Sequence, residues 1–216
     1  MSDLQWPDDD TPRVSGLIDG PAGALEIDIE QPKDTPRGIV VVCHPHPQQG
    51  GTKDNKVVYM TARAAREAGF ATIRFNFRDT GKSEGQYDEG RGEQDDLRAV
   101  RDWAMNASGL TIGGLAGFSF GSAVALRVAA ADGAPSLLTI GLPSAYFDEK
   151  LPRPDTPWLA LFGDEDEVID VKASIRAVEA LTPAVTVDIL EGAGHFLHGR
   201  LSDLRQRAQA FWSSDK

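Results

Sequence analysis

The sequence predicts an α/β fold: one domain with a mixed, mostly parallel sheet, helices on both faces and no cap domain. Three observations predict it. Short apolar runs alternate with stretches of helical periodicity along most of the chain, the pattern of βα units. The later runs, at residues 39–42, 71–77, 110–116, 137–142, 158–162 and 185–190, are apolar almost throughout, as strands covered on both faces must be. The early runs differ. Residues 15–19 and 24–30 flank a turn at Gly20, Pro21, Ala22 and Gly23, and in the second run Leu25, Ile27 and Ile29 alternate with polar residues, which marks a half-exposed antiparallel strand.

The helices follow in order. Asp54 is the expected N-cap of the first, whose apolar face is Val57, Thr61, Ala64, Ala65 and Ala68, and Gly69 ends it. Glu93, Asp95 and Asp96 suit the positive end of the second, with Leu97, Val100 and Ala104 facing inward. A helix of small residues follows Gly121, another spans about 171–181, and the last turns Leu201, Leu204, Ala208, Phe211 and Trp212 to one side. Nothing reads as an interdomain linker or a repeat. The expectation is a mobile tail at residues 1–13 and one domain at 14–213, a size at which a sizeable core can form.

Bulk chemistry excludes several functions. The formal net charge is −11, the wrong sign for binding a phosphate backbone, so no nucleic-acid partner is expected. Cys43 is the one cysteine, so no internal disulfide forms. The first 13 residues carry Asp8, Asp9 and Asp10 in place of the basic and then apolar pattern of a secretory signal, and no apolar run is long enough to span a bilayer. The expected location is therefore cytoplasmic, with no membrane partner. Oligomeric state leaves no mark on the sequence.

In sheets of this kind ligands bind beyond the carboxyl ends of the strands. One strand there runs into Gly117-Phe118-Ser119-Phe120-Gly121 and then the small-residue helix. This is a G-x-S-x-G nucleophile elbow in its strand–turn–helix setting, which lifts a serine oxygen clear of the sheet. A nucleophilic serine needs a base and an acid that orients it, with the acid before the histidine in this chain order. The run at 158–162 leads into Gly163-Asp164-Glu165-Asp166, and the spacing favours Asp166 as the acid, with Asp164 the alternative. The last run leads into Gly192-Ala193-Gly194-His195, which makes His195 the expected base, whereas His198 suits a surface or supporting place.

An acyl-transfer site also needs donors for the developing oxyanion. The Phe120 N–H is one. The second comes from the segment His44-Pro45-His46-Pro47-Gln48-Gln49-Gly50-Gly51, where the prolines have no N–H, so His46 is first and Gln48 second. If His46 serves through its main chain, its imidazole is expected to be dispensable. His44 and His46 lack further ligands at metal-binding spacing, so no metal and no cofactor are expected. Cys43 is expected to be a packed small residue. Gly81-Lys82-Ser83 lacks the earlier glycine of a phosphate loop, since Asn76 stands there, and reads as a turn held by an Arg78–Asp79 ion pair. Gln48, Phe118, Tyr146, Phe147 and Phe196 are the expected pocket residues.

These motifs together resemble the α/β-hydrolase superfamily. More narrowly, the chain is similar to small lidless bacterial serine hydrolases related to dienelactone hydrolase. The likeness rests on His44-Pro45-His46-Pro47 with Gly50-Gly51-Thr52, Asn55-Lys56, Phe75-Asn76-Phe77-Arg78, Gly81-x-Ser83-x-Gly85, the elbow, and Gly194-His195-Phe196-x-His198-Gly199-Arg200. Dienelactone hydrolase itself carries cysteine where this chain has Ser119, and Asp79 stands where similar sequences often have glycine. The resemblance implies no particular physiological substrate, and the leading expectation is hydrolysis of a small carboxylic ester through an acyl-enzyme. An amidase or small-peptide peptidase, a thioesterase, and a non-catalytic binding module that keeps the fold remain as alternatives. Residues 143–157 are too few for a cap domain, so an open site and short acyl groups are expected.

Overall fold

The computed structural model describes residues 4–148 and 150–214. The elements are β1 (Arg13–Gly20), β2 (Gly23–Glu30), β3 (Ile39–Cys43), α1 (Lys56–Glu67), β4 (Ala71–Phe75), α2 (Gly92–Ser108), β5 (Ile112–Phe118), α3 (Phe120–Asp132), β6 (Leu137–Ile140), β7 (Trp158–Gly163), α4 (Val171–Glu179), β8 (Thr186–Leu190) and α5 (Leu201–Ser213). The eight strands form one sheet in the order β1-β2-β4-β3-β5-β6-β7-β8. β1 pairs antiparallel with β2, and β2 antiparallel with β4, while the remaining pairs are parallel.

Period-two alternation divides the core. Ile39, Val41 and Cys43 of β3 face α2, α3 and α4, whereas Val40 and Val42 face α1 and α5. Both faces are covered from β3 to β7, whereas the edge strand β8, expected to be covered on both faces, exposes Thr186 and Ile189 because no strand lies beyond it. Each fully buried Ile, Leu or Phe contributes roughly 1.5–3 kcal/mol. α3 runs Ala123, Val124, Ala125, Leu126, Val128 and Ala129, all buried, so its small side chains let it lie close on the sheet.

β3 holds β4 on one side and β5 on the other, so the chain reverses its winding direction between them. The crevice that this reversal opens at the carboxyl ends of β3 and β5 is where such folds bind ligands. The loops after β3, β5, β6, β7 and β8, which carry the expected site residues, all emerge there.

Several local expectations are corrected. Asn55, not Asp54, caps α1: its Oδ1 accepts the Val57 N–H at 2.9 Å, while Asp54 pairs with Lys53 and Arg74. β4 stops at Phe75, because the next amides turn to other partners: Asn76 N donates to Glu26 O and Phe77 N to the His44 ring. β6 stops at Ile140, before Gly141 at φ 55°. Within the stretch expected to be a mobile tail, residues 4–12 run along the domain. Trp6 stacks on Trp103 at 6.2 Å, Gln31 Nε2 donates to Pro7 O, and Leu4 fills the space left by the missing side chain of Gly16. Residues 1–3 of that stretch lie outside the described residues. No helix among the described residues is long and apolar enough to cross a membrane.

Candidate active site

Ser119 occupies the bend between β5 and α3 with φ 52° and ψ −120°, a backbone conformation that costs an L-residue roughly 1–3 kcal/mol. Its neighbours hold it there. Ser119 N donates to Ile140 O at 2.8 Å, and Ser119 O accepts from Ser122 N at 2.9 Å and Ser122 Oγ at 2.5 Å. The two flanking glycines are steric necessities: a Cβ on Gly117 would lie 2.2 Å from Gly121 O, and one on Gly121 would lie 2.4 Å from His44 O. The elbow pattern thus records two close backbone crossings, one within the elbow and one with the end of β3.

His195 and Asp166 meet across the loops after β8 and β7. His195 Nδ1 lies 2.6 Å from Asp166 Oδ2, with side chains 2% and 1% exposed. The other carboxylate oxygen, Oδ1, accepts the N–H groups of Val168 and Ile169 at 2.9 and 3.0 Å. Burial on its own would raise the Asp166 pKa. The hydrogen bonds from His195, Ile169 and Val168 outweigh it and hold the carboxyl below its ordinary value. An ionised Asp166 requires the proton on Nδ1 and leaves Nε2 as the basic nitrogen. The imidazole is seated on Phe118, with ring centroids 4.9 Å apart, and beside Gly141, where a Cβ would come within 3.2 Å of Cε1. It therefore stands over the residue that precedes Ser119.

Asp164 does different work. Its Oδ1 accepts the Gly192 N–H at 2.7 Å, and Glu167 Oε2 accepts the His195 N–H at 3.1 Å. Together they clip the acidic loop to the histidine turn.

After β3 the chain passes through His44 and enters a short 3-10 turn, Pro47–Gln49. His44 is fully buried. Its Nε2 accepts the Phe77 N–H at 3.0 Å and its Nδ1 donates to Pro45 O at 2.6 Å, so both nitrogens are occupied and the ring is neutral. Burial pushes its pKa down to about 4. Unfolded, the ring regains an ordinary value near 6.5, so the unfolded chain binds the extra proton between these two values. Its stabilising contribution is thus present above pH 6.5 and drains away as the pH falls to 4, by about 3 kcal/mol at about 1.4 kcal/mol per pH unit. Urea unfolding of wild type and His44→Gln across this range checks it. The variant is less stable at pH 7, and the gap narrows on acidification. A gap independent of pH would contradict the assignment.

The amides of His46 and Phe120 donate to no acceptor among the described residues, whereas the Gln48 N–H is committed to His46 Nδ1 at 3.2 Å. Gln48 is thereby removed as the alternative donor. The His46 and Phe120 rings are 5.2 Å apart, so these two amides belong to adjoining turns.

Comparison with known proteins identifies the family and the fold. The model of the X-Pro dipeptidyl-peptidase family, S15, matches residues 19–151. The chain belongs to this α/β-hydrolase family. The matched span includes Ser119 and the His44–Gly51 loop and ends before Asp166. The chain is 38% identical to XC6422 from Xanthomonas campestris, described as an α/β serine hydrolase without a lid, with TM-score 0.89 and coverage of 97% and 96% of the two chains. It is 40% identical to an α/β serine hydrolase homologue from Coxiella burnetii, with TM-score 0.86 and coverage of 91% and 96%. Protein RP471 of Rickettsia prowazekii (strain Madrid E) is 32% identical over 83% of this chain and 80% of its own. The fold is also that of a dienelactone hydrolase from Anabaena variabilis, at 19% identity, TM-score 0.75 and coverage of 93% and 96%.

Around the elbow, the hydrolase has an aromatic rim. Tyr146 lies edge-on to Phe120 at 6.1 Å, Phe196 edge-on to His195 at 5.3 Å, and Gln48 is exposed. Phe147 lies under the Arg127 guanidinium at 4.5 Å. Phe118, expected in the pocket wall, is instead fully buried and forms the floor beneath the imidazole, because strand alternation turns it away from Ser119. Arg78 pairs with Asp96 of α2 at 2.8 Å rather than with Asp79. Asp79 is exposed at φ 62°, the left-handed conformation that explains glycine at this place in similar sequences. The Cys43 thiol is fully buried and its pKa is pushed far up, so it stays an inert packed group. Sequence reasoning missed Tyr87, whose Oη is 3.1 Å from His46 Nε2. A lone tyrosine in a loop has no periodicity or motif that would single it out.

Proposed function

We propose that the protein is a serine hydrolase that cleaves small carboxylic esters through an acyl-enzyme. The observation that carries this reading is the buried His195–Asp166 pair seated beside the strained Ser119 turn. In this mechanism Ser119 Oγ attacks the ester carbonyl carbon while His195 Nε2 takes its proton. The negative oxygen of the tetrahedral intermediate is held by the Phe120 and His46 N–H groups. Collapse breaks the bond to the alkoxy oxygen, which leaves as the alcohol with the proton from His195. Water then repeats the sequence on the acyl-enzyme and frees the acid and Ser119.

Among the described residues between β6 and β7, the one helical element is a short 3-10 turn, Ser144–Tyr146. That supports an open site, so acetyl to hexanoyl esters are expected to be hydrolysed faster than esters of long fatty acids. A p-nitrophenyl ester series measures this, and a preference for acyl chains of about twelve carbons or more would sink the open-site argument.

The match to a peptidase family favours one second reading, cleavage of short peptides, with an amine leaving in place of the alcohol. A panel of esters, thioesters and proline-containing dipeptidyl amides, each compared by kcat/KM, separates the two. A fluorophosphonate probe that labels the native protein, but neither the denatured protein nor Ser119→Ala, excludes a non-catalytic module.

A further inference from the structure

The His46 imidazole is expected from sequence to be dispensable, yet both its nitrogens are engaged. Nδ1 accepts the Gln48 N–H at 3.2 Å, so it carries no proton and the neutral ring has its hydrogen on Nε2. Nε2 lies 3.1 Å from Tyr87 Oη, so the ring donates and the phenol accepts. Burial holds the His46 pKa below its ordinary value against the pull of the Glu93 carboxylate, which favours this neutral form. The Tyr87 end is itself anchored. Glu93 accepts the N–H groups of Asp88 and Gly90 at 2.8 and 2.7 Å, which fixes the loop to the start of α2.

The three rings close on one another. His46 is 5.1 Å from Tyr87 and 5.2 Å from Phe120, and Tyr87 is 5.9 Å from Phe120. They join the turn after β3, the loop before α2 and the first residue of α3. Two of the three residues carry the N–H groups assigned to the oxyanion. We infer that the His46 imidazole and the Tyr87 hydroxyl are positioning groups that set the His46 main-chain N–H against that of Phe120. This rests on the serine-hydrolase reading above. The physical need is strict, since oxyanion donors work only within a few tenths of an ångström of about 2.7–3.1 Å. Pro45 and Pro47 leave this loop no neighbouring N–H to substitute if His46 shifts.

The test is the labelling rate with a fluorophosphonate, whose phosphonyl oxygen takes the oxyanion's place and which needs no particular acyl group. His46→Ala and Tyr87→Phe are each expected to slow the limiting rate about tenfold, with half-saturation unchanged. His46→Asn, whose side-chain oxygen accepts the Gln48 N–H as Nδ1 does but which loses the donor to Tyr87, is expected to label as slowly as Tyr87→Phe. Adding Tyr87→Phe to His46→Ala brings no further loss, because the two act as one pair. Melting curves show that each variant is folded at the assay temperature. Full-rate labelling by His46→Ala and Tyr87→Phe overturns the inference. So does a lowered melting temperature with an unchanged rate, which marks a merely stabilising contact, or a change in half-saturation alone, which marks substrate binding. An unlabelled wild type would instead overturn the serine-hydrolase reading, and this inference with it.

Discussion

Ser119→Ala is expected to leave a folded protein whose hydrolytic turnover has fallen by on the order of 10⁶, the usual effect of removing the nucleophile from such a triad. The substitution is clean for reasons local to the turn. Alanine has the same Cβ, so it meets the same strain at φ 52°. Ser119 holds its neighbours through its main-chain N–H and C=O, while its Oγ bonds to no other described residue. Only the reacting atom is lost, and the melting temperature stays within a few degrees of wild type. Ser119→Gly makes the contrast: it also abolishes turnover, but it relieves the positive φ and raises stability by up to about 1 kcal/mol. Residual activity above a few per cent in Ser119→Ala, after exclusion of contaminating esterase, would disprove the assignment.

Asp166→Asn lowers turnover about 10⁴-fold, and Asp164→Asn less than tenfold. The argument follows from what each oxygen touches. Asp166 Oδ1 accepts two main-chain N–H groups, from Val168 and Ile169. In the asparagine variant the amide oxygen must keep that place, which turns the NH₂ toward His195 Nδ1. Nδ1 then has to accept, the imidazole proton moves to Nε2, and the base is blocked. Asp164 Oδ1 accepts a single N–H, from Gly192, and an asparagine oxygen replaces it without loss. Matched kinetics on the two variants decide the point. The reverse ranking would transfer the acid's role to Asp164.

The same comparison shows why some of the site was legible and some was not. The elbow is written within five residues, because the steric demands of the turn fall on Gly117 and Gly121 themselves. The sheet is legible because burial on both faces leaves β3, β5 and β7 without polar side chains and admits only Thr72, Arg74 and Thr139 in β4 and β6. Where an interaction joins distant loops, no local pattern reports it. Arg78 finds Asp96 rather than its neighbour Asp79, since Asp96 sits on the inner side of α2 while Asp79 turns outward at positive φ. Tyr87 enters the site only because His46 Nε2 points at it from 41 positions away.

By itself, then, the sequence determined the order of elements, the alternation that buries both faces, the elbow at Ser119 and the turn that presents His195. These are consequences of periodicity and of close backbone contact, which act over a few residues. The tertiary structure alone decided which carboxylate of the acidic loop meets the imidazole, which amide after β3 remains free, and that His46 is braced by Tyr87. Those outcomes depend on the directions in which side chains leave loops that converge only when the sheet has formed.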